Sequence, residues 1–208
     1  MTAITIETPL GPSRVTVHGR AEPRAVLLLG HGAGGGINAF DLVTLAEALP
    51  SRGVVVALHE QPWRVAGKRI AARPQTLDVG WRPALDWAAG EYDGVPLWVG
   101  GRSAGARVAC RCYDERQAGV VCLSFPLHPP GKPANSRIAE LAGVTGPVLV
   151  VQGERDPFGS PDDVRTAARE AQGAQPVIVS VPGAHAFLRR AEVRKRIVDE
   201  VTAFVGVS

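Results

Sequence analysis

The sequence lacks the features that mark membrane and secreted proteins. It has no run approaching the roughly 18 consecutive apolar residues of a membrane-spanning helix. Residues 1–12 also lack the basic segment and apolar core that define a signal peptide. We therefore expect a soluble, unprocessed, cytoplasmic protein with no membrane partner.

Cysteine is scarce as well. The three cysteines, Cys110, Cys112 and Cys122, are odd in number, and the first two lie two residues apart in a segment expected to be helical. Side chains at that spacing point to different faces of a helix, which disfavours a disulfide framework or a shared metal site. We expect reduced thiols in or near the core, and the sequence predicts no metal site and no cofactor.

Neither sign of charge is in large excess. The chain has 23 lysines and arginines, nearly all of them arginine, against 20 acidic residues, for a net charge of +3. A small, dispersed excess does not fit nucleic-acid binding, which needs clustered cations. One local cluster, Arg64, Lys68, Arg69 and Arg73, follows an apolar run that ends near Leu58. It is either a solvated loop or a site that recognises an anionic group.

Apolar and amphipathic segments alternate along the whole chain. With 208 residues and 45% hydrophobic content, the chain can bury one good core, so residues 1–208 are expected to form a single domain. Alternation of this kind predicts an α/β fold of three layers, with a mostly parallel sheet and helices on both faces. The expected strands are residues 3–7, 14–18, 25–29, 53–58, 95–99, 119–125, 147–152 and 176–181, and the expected helices are residues 39–50, 75–89, 104–117, 134–142, 161–172 and 190–205. Pro83 predicts a kink or a late start in the second helix.

A G-x-S-x-G motif stands between an expected strand and an expected helix. It reads Gly101-Arg102-Ser103-Ala104-Gly105, which is the context of a nucleophile elbow. The serine of such an elbow has a strained backbone, and its flanking positions must be tiny. The motif therefore predicts Ser103 as a nucleophile.

Two further residues supply the partners that an activated serine needs. Asp156 and His185 each follow an apolar run, in the chain order Ser, Asp, His. His185 is the predicted base and Asp156 the predicted acid that orients it. Asp162 and Asp163, at an expected helix start, are interpreted as capping residues.

A glycine-rich turn follows the first buried run. His31-Gly32-Ala33-Gly34-Gly35-Gly36 precedes an expected helix, and such a turn supplies one N–H of an oxyanion hole. The predicted donors are the amides of Ala33 and Ala104, and His31 is expected to be structural. A phosphate-binding loop is the alternative, but the turn has neither the G-K-[ST] nor the G-x-G-x-x-G pattern of such loops.

Six motifs together resemble one family. They are GHGAGGG, EQPWRVAGKR at 60–69, GGRSAGAR, FPLHPPGKP at 125–133, GERDPFG and GAHAF. In these the chain resembles an α/β-hydrolase of the small, lidless group related to dienelactone hydrolases, which includes predicted bacterial hydrolases, the hydrolase-like subunit of the NSL chromatin complex and its testis-expressed relative. The resemblance implies no large cap domain, with Ser103, Asp156 and His185 as nucleophile, acid and base. Dienelactone hydrolases usually carry a cysteine where this chain has serine.

These observations predict a serine hydrolase that acts on a small ester, thioester or other acyl compound. A hydrolase-fold scaffold with no turnover is the alternative, and a C–C bond hydrolase or haloperoxidase-type enzyme would use the same residues. Arg102 and Arg64 are predicted to bind an anionic part of the substrate, and His128 to wall the pocket. Arg102 has a second interpretation, in which it turns away and pairs with an internal carboxylate.

Overall fold

A computed structural model describes residues 1–69, 71 and 73–207. Its eight strands form one sheet in the order β1-β2-β4-β3-β5-β6-β7-β8. They are β1 (Thr2–Ile6), β2 (Ser13–His18), β3 (Ala25–Gly30), β4 (Val54–Glu60), β5 (Leu97–Arg102), β6 (Gly119–Leu123), β7 (Val148–Gly153) and β8 (Val177–Val181). The pairs β1–β2 and β2–β4 are antiparallel and the five other pairs of this sheet are parallel, which confirms the predicted mostly parallel sheet.

Helices cover both faces of the sheet. The helices are α1 (Phe40–Ala48), α2 (Pro62–Val65), α3 (Pro74–Glu91), α4 (Ala104–Arg111), α5 (Ile138–Ala142), α6 (Pro161–Glu170) and α7 (Ala191–Phe204). Helices α3, α4, α5 and α6 contribute to the apolar core on one face, while α1 and α7 contribute to the core on the other. All six residues of β3 are buried because both faces are covered, which explains its uninterrupted apolar sequence.

Several element boundaries differ from the sequence prediction. Helix α4 ends at Arg111 rather than at residue 117. Beyond it, the Asp114 carboxylate accepts from the Arg116 N–H at 3.0 Å, and the Gln117 side-chain oxygen accepts from the Asp114 N–H at 2.7 Å. These side chains accept hydrogen bonds from main-chain N–H groups that would donate to carbonyls in a longer helix, so they favour a turn. The short helix α2 was not predicted.

Helix α3 runs through Pro83, so of the two expected alternatives, a kink and a late start, the late start is wrong. The helix begins at Pro74, a position that tolerates proline because the first amides of a helix have no internal acceptor. Pro83 removes the bond to the Val79 carbonyl, and Val79 lies on the exposed side of the helix, where water can replace the amide.

The connection between β6 and β7 is short. It runs from Ser124 to Pro147 and contains α5, five residues long. No large cap domain is therefore inserted over the carboxyl ends of the strands. Within the described ranges, no helix has the length and apolar character to cross a bilayer. The three cysteines are buried and free, and the sulfurs of Cys110 and Cys122 lie 3.6 Å apart.

Candidate active site

Ser103 occupies a sharp turn between β5 and α4, with φ 54° and ψ −112°. Positive φ is costly for a serine and is held here by close packing. A Cβ atom at Gly101 would lie 2.4 Å from the Gly30 carbonyl oxygen, and one at Gly105 would lie 2.3 Å from the same oxygen. Only glycine fits at either position, so the end of β3 buttresses the turn that presents Ser103.

Ser103, His185 and Asp156 are joined by hydrogen bonds. His185 Nε2 lies 2.8 Å from Ser103 Oγ, and His185 Nδ1 lies 2.9 Å from Asp156 Oδ2. A carboxylate accepts only, so Nδ1 carries the proton and Nε2 presents its lone pair to the Ser103 hydroxyl. The structure thus brings together the three residues that the sequence predicted as nucleophile, base and acid.

The Asp156 side chain is completely buried. Its Oδ1 accepts from the Phe158 N–H at 2.9 Å, and its Oδ2 accepts from Gln152 Nε2 at 3.1 Å. Gln152 also donates to the carbonyls of Phe125 and Gly159 at 3.1 and 2.7 Å. Sequence reasoning missed Gln152, although a polar residue after the apolar run 148–151 was a signal that it had a buried partner.

Asp162 and Asp163 lie at the start of α6, as the capping interpretation requires. Ser160 Oγ accepts from the Asp163 N–H at 3.2 Å, and the Asp163 carboxylate accepts from the Ser160 N–H at 2.8 Å. This reciprocal pair is a capping box. The Asp162 side chain is 90% exposed and pairs with Arg165, so neither carboxylate replaces Asp156 beside His185.

The amides of Ala33 and Ala104 have no acceptor among the described residues. His31 fixes the turn that carries Ala33: its Nε2 accepts from the Gln61 N–H at 3.2 Å, and its Nδ1 lies 2.8 Å from the Gly32 carbonyl. Burial lowers the pKa of His31, which keeps the ring neutral and able to accept that bond. Both amides are therefore free to donate to an anionic oxygen.

A cavity of about 250 Å³ adjoins Ser103. Its lining residues are small except for Arg102 and His185. The full lining is Gly32, Ala33, Gly34, Gly35, Gly36, Ala39, Arg102, Ser103 and His185. A Cβ at Gly34 or Gly35 would have no atom within 4 Å, so the rim of the glycine-rich turn is open. The cavity is bounded mainly by backbone, which leaves its peptide groups accessible.

The predicted substrate-binding residues take three different positions. Arg64 packs against the glycine-rich turn, with its Nε 3.5 Å from the point where a Gly36 Cβ would stand. Arg102 lines the cavity beside Ser103, and it also pairs with an internal carboxylate, since its Nε lies 3.4 Å from Asp41 Oδ2. His128 lines a separate cavity of about 480 Å³, whose lining includes none of Ser103, Asp156 and His185. His128 is absent from the lining of the cavity beside Ser103 and instead borders this second cavity together with α6.

The family model described as "Alpha/beta hydrolase domain" matches residues 23–204 of the sequence. The matched segment contains the elbow, both of its partners and the glycine-rich turn. The chain belongs to the α/β-hydrolase family. The match shows membership of the α/β-hydrolase family, and a closer relation to the group of the NSL-complex subunit stays a prediction.

Solved structures of other α/β-hydrolases have the same fold. A serine hydrolase homologue from Coxiella burnetii is 22% identical, with a TM-score of 0.76 over 96% of this chain and 97% of that one. A serine hydrolase from Xanthomonas campestris, described as having no lid, is 20% identical, with a TM-score of 0.74 over 100% and 96% of the two chains. Est1E from Butyrivibrio proteoclasticus is 15% identical, with a TM-score of 0.74 over 99% of each chain.

Behind the glycine-rich turn this α/β-hydrolase buries a second histidine. His59 on β4 is fully buried, its ring lies 5.4 Å from that of Trp81, and neither ring nitrogen has a hydrogen-bond partner in the described part of the chain. Burial lowers the pKa of His59 from 6.5 to about 3. The folded protein therefore holds a neutral ring where the unfolded chain takes up a proton.

We expect His59 to make the protein less stable in weak acid. Because its pKa is lower in the folded state, its contribution is fully present above pH 6.5 and is lost as the pH falls toward 3. Between pH 7 and pH 5 the free energy of unfolding should fall by about 2 kcal/mol from this group alone. Urea unfolding at both pH values should show that His59→Leu loses about 2 kcal/mol less than the wild type. An equal loss in both proteins would contradict the assignment.

Proposed function

We propose that this α/β-hydrolase is a serine hydrolase that cleaves small esters, thioesters or related acyl compounds through an acyl-enzyme on Ser103. The observation that carries the proposal is the unbroken chain from Asp156 through His185 to Ser103, with distances of 2.9 and 2.8 Å, at a serine held at positive φ. These distances are those at which a base removes a hydroxyl proton. Family membership supports the same reaction class.

In the proposed reaction, Ser103 Oγ attacks the acyl carbon as His185 Nε2 takes its proton. Asp156 holds the ring in the required tautomer and stabilises its charged form. The carbonyl oxygen becomes negative and accepts from the N–H groups of Ala33 and Ala104, each worth about 3 kcal/mol to the transition state. His185 then protonates the leaving group, and a water molecule releases the acid by the same steps.

The test of this proposal is labelling with a fluorophosphonate, which reacts only with an activated serine. The wild-type protein should gain one probe mass, on the peptide that contains Ser103. Ser124 is a control within the same molecule, since it also has positive φ, 53°, but its buried hydroxyl has no partner in the described residues. Labelling at Ser124, or none in folded protein, would refute the proposal and favour a scaffold without turnover.

The substrate should be small or flexible in its acyl part, because the cavity beside Ser103 holds only about 250 Å³. The short connection after β6 leaves this cavity without a cap, so activity should need no lipid interface. A panel of acetyl, butyryl, octanoyl and feruloyl esters tests the size limit. A feruloyl ester belongs in the panel because ferulic acid is bound to Est1E in one of the similar structures.

We also propose that Arg64, which is outside the lining of the cavity but lies against Gly36 at its edge, favours an anionic substrate. It is half-buried beside the glycine-rich turn, and its guanidinium makes no hydrogen bond or ion pair within the described ranges. The other cations of the cluster, Lys68, Arg69 and Arg73, are exposed. A partly desolvated guanidinium without a carboxylate partner favours a ligand that supplies one.

We expect an ester with a distal carboxylate to be cleaved with a kcat/KM at least about tenfold higher than its neutral counterpart, equivalent to about 1.4 kcal/mol. Arg64→Gln should abolish this preference, whereas Arg69→Gln, an equal change of charge at an exposed position of the same segment, should keep it. Steady-state rates on the two esters measure the effect. Equal rates on both esters in the wild type would rule out anion recognition.

A further inference from the structure

The side chain of Arg102 connects three segments that are far apart in the sequence. Its Nε lies 3.4 Å from Asp41 Oδ2, and one of its terminal nitrogens donates to the main-chain carbonyl of His185 at 2.8 Å. Asp41 lies in the first turn of α1, Arg102 ends β5, and His185 follows β8. The residue before the nucleophile thus holds the backbone of the base.

Asp41 is a fixed anchor for this contact. Its side chain is 3% exposed, and its Oδ1 accepts from the Leu42 N–H at 2.9 Å. The first turn of a helix also favours a carboxylate electrostatically. The planar guanidinium of Arg102, 16% exposed, is therefore held on one side by Asp41 and presents its remaining donors in a fixed direction.

The segment that carries His185 is also held by a bridge between Gly183 and Phe187 and by the Phe158 ring, whose centroid lies 4.3 Å from that of the His185 ring, but neither contact reaches the His185 carbonyl. The His185 carbonyl accepts no hydrogen bond except that from Arg102 in the described part of the chain. The neighbouring main-chain bonds, from Ala184 N–H to the Ala186 carbonyl at 3.2 Å and from Arg155 N–H to the Gly183 carbonyl at 3.0 Å, hold the residues around it. Loss of Arg102 would free the backbone of His185 to shift relative to Ser103.

We propose that Asp41 and Arg102 form a positioning pair that fixes the backbone of His185 and so keeps its Nε2 in line with Ser103 Oγ. The inference rests on the proposed serine-hydrolase function. It gives Arg102 a role distinct from substrate binding, because its guanidinium is already engaged on two sides. Proton transfer requires the base within about 3.2 Å of the hydroxyl, and a displacement of about 1 Å lowers the rate about 100-fold.

The experiment compares Arg102→Gln, Arg102→Lys and Asp41→Asn with the wild type, using a neutral ester, its carboxylate-bearing counterpart and the second-order rate of fluorophosphonate labelling. Arg102→Gln should lower kcat and the labelling rate by about 30–100-fold, with KM changed less than about twofold. Arg102→Lys should lower both rates by about tenfold, because an ammonium cannot bridge Asp41 and the His185 carbonyl as a guanidinium does.

Arg107→Gln is the matched control. Arg107 lies on α4, is 17% exposed and pairs with Glu140 at 2.6 Å, but its side chain makes no hydrogen bond or ion pair with the His185 segment in the described part of the chain. Its loss should lower thermal stability and leave kcat within about twofold of wild type. A purely structural role for Arg102 would give the same pattern as this control and would overturn the proposal.

Each other outcome is equally decisive. If Arg102→Gln does not fold, Arg102→Lys and Asp41→Asn test the proposal in its place. Labelling of both variants at the wild-type rate would then refute the proposal that Asp41 and Arg102 position His185. A rise in KM for carboxylate-bearing esters at unchanged kcat would instead make Arg102 a substrate-binding residue. Failure of the wild type to label would refute the serine-hydrolase proposal itself, which separates it from failure of the positioning pair.

Discussion

Replacing either Ser103 or His185 by alanine is expected to lower kcat by about 10⁶-fold, and replacing both should lower it no further. The two side chains share one step, since the proton that leaves Ser103 Oγ crosses the 2.8 Å to His185 Nε2. Without the hydroxyl there is no nucleophile, and without the imidazole the hydroxyl stays protonated. Either loss removes the whole step, so the effects cannot add.

Single-turnover rates on a chromogenic ester measure this, with each variant checked for folding by circular dichroism. Ser124→Ala is the control, because it deletes a hydroxyl from a second serine with positive φ and should leave kcat within about twofold of wild type. A double variant with a much lower kcat than either single variant would contradict the shared step. It would mean that Ser103 and His185 act in separate reactions.

Asp156→Asn is expected to lower kcat by about 10⁴-fold while leaving the fold intact. The carboxylate accepts from His185 Nδ1 at 2.9 Å and so selects the tautomer whose Nε2 can take a proton. An asparagine amide can donate to Nδ1 instead, which places the ring proton on Nε2 and blocks proton transfer. The charge that stabilised the imidazolium is lost as well.

The comparison for this prediction is Asp163→Asn, which makes the same chemical change in the capping box of α6. It should leave kcat within about twofold of wild type and lower the free energy of unfolding by roughly 0.5 kcal/mol. Initial rates and urea unfolding of both variants give the two quantities. A large loss of kcat in Asp163→Asn together with a near wild-type kcat in Asp156→Asn would show that the acid had been assigned to the wrong residue.

The sequence was sufficient to predict the sheet because a strand buried on both faces must be apolar throughout. The runs that became β3 and β7 carry this signature, and the structure confirms both. Helix ends were less accurate because they depend on single side-chain bonds. The Asp114 and Gln117 contacts that accompany the end of α4 involve ordinary polar residues, which a periodic pattern cannot distinguish from an exposed helical face.

The position of Ser103 was predictable because a nucleophile elbow requires glycine two residues before and two residues after the serine. Gly101 and Gly105 meet this requirement and are visible in the sequence as a local motif. Contacts between distant segments leave no such local pattern. Nothing in the sequence links Asp41 to Arg102. Whether Arg102 binds substrate or pairs with an internal carboxylate depended on where α1 begins, because that sets the position of Asp41. His128 failed as a candidate for the same reason, because chain order does not specify which loop faces which cavity.

The glycines around Ser103 fall into two groups that differ in what an added methyl group would contact. At Gly101 and Gly105 a methyl group would collide with the Gly30 carbonyl, so the architecture alone forbids every other residue. At Gly34 and Gly35 the same methyl group would enter empty space. Any intolerance to alanine found at those two positions in a saturation mutagenesis screen would therefore not come from a clash with the polypeptide, and it would outline the volume that the substrate occupies.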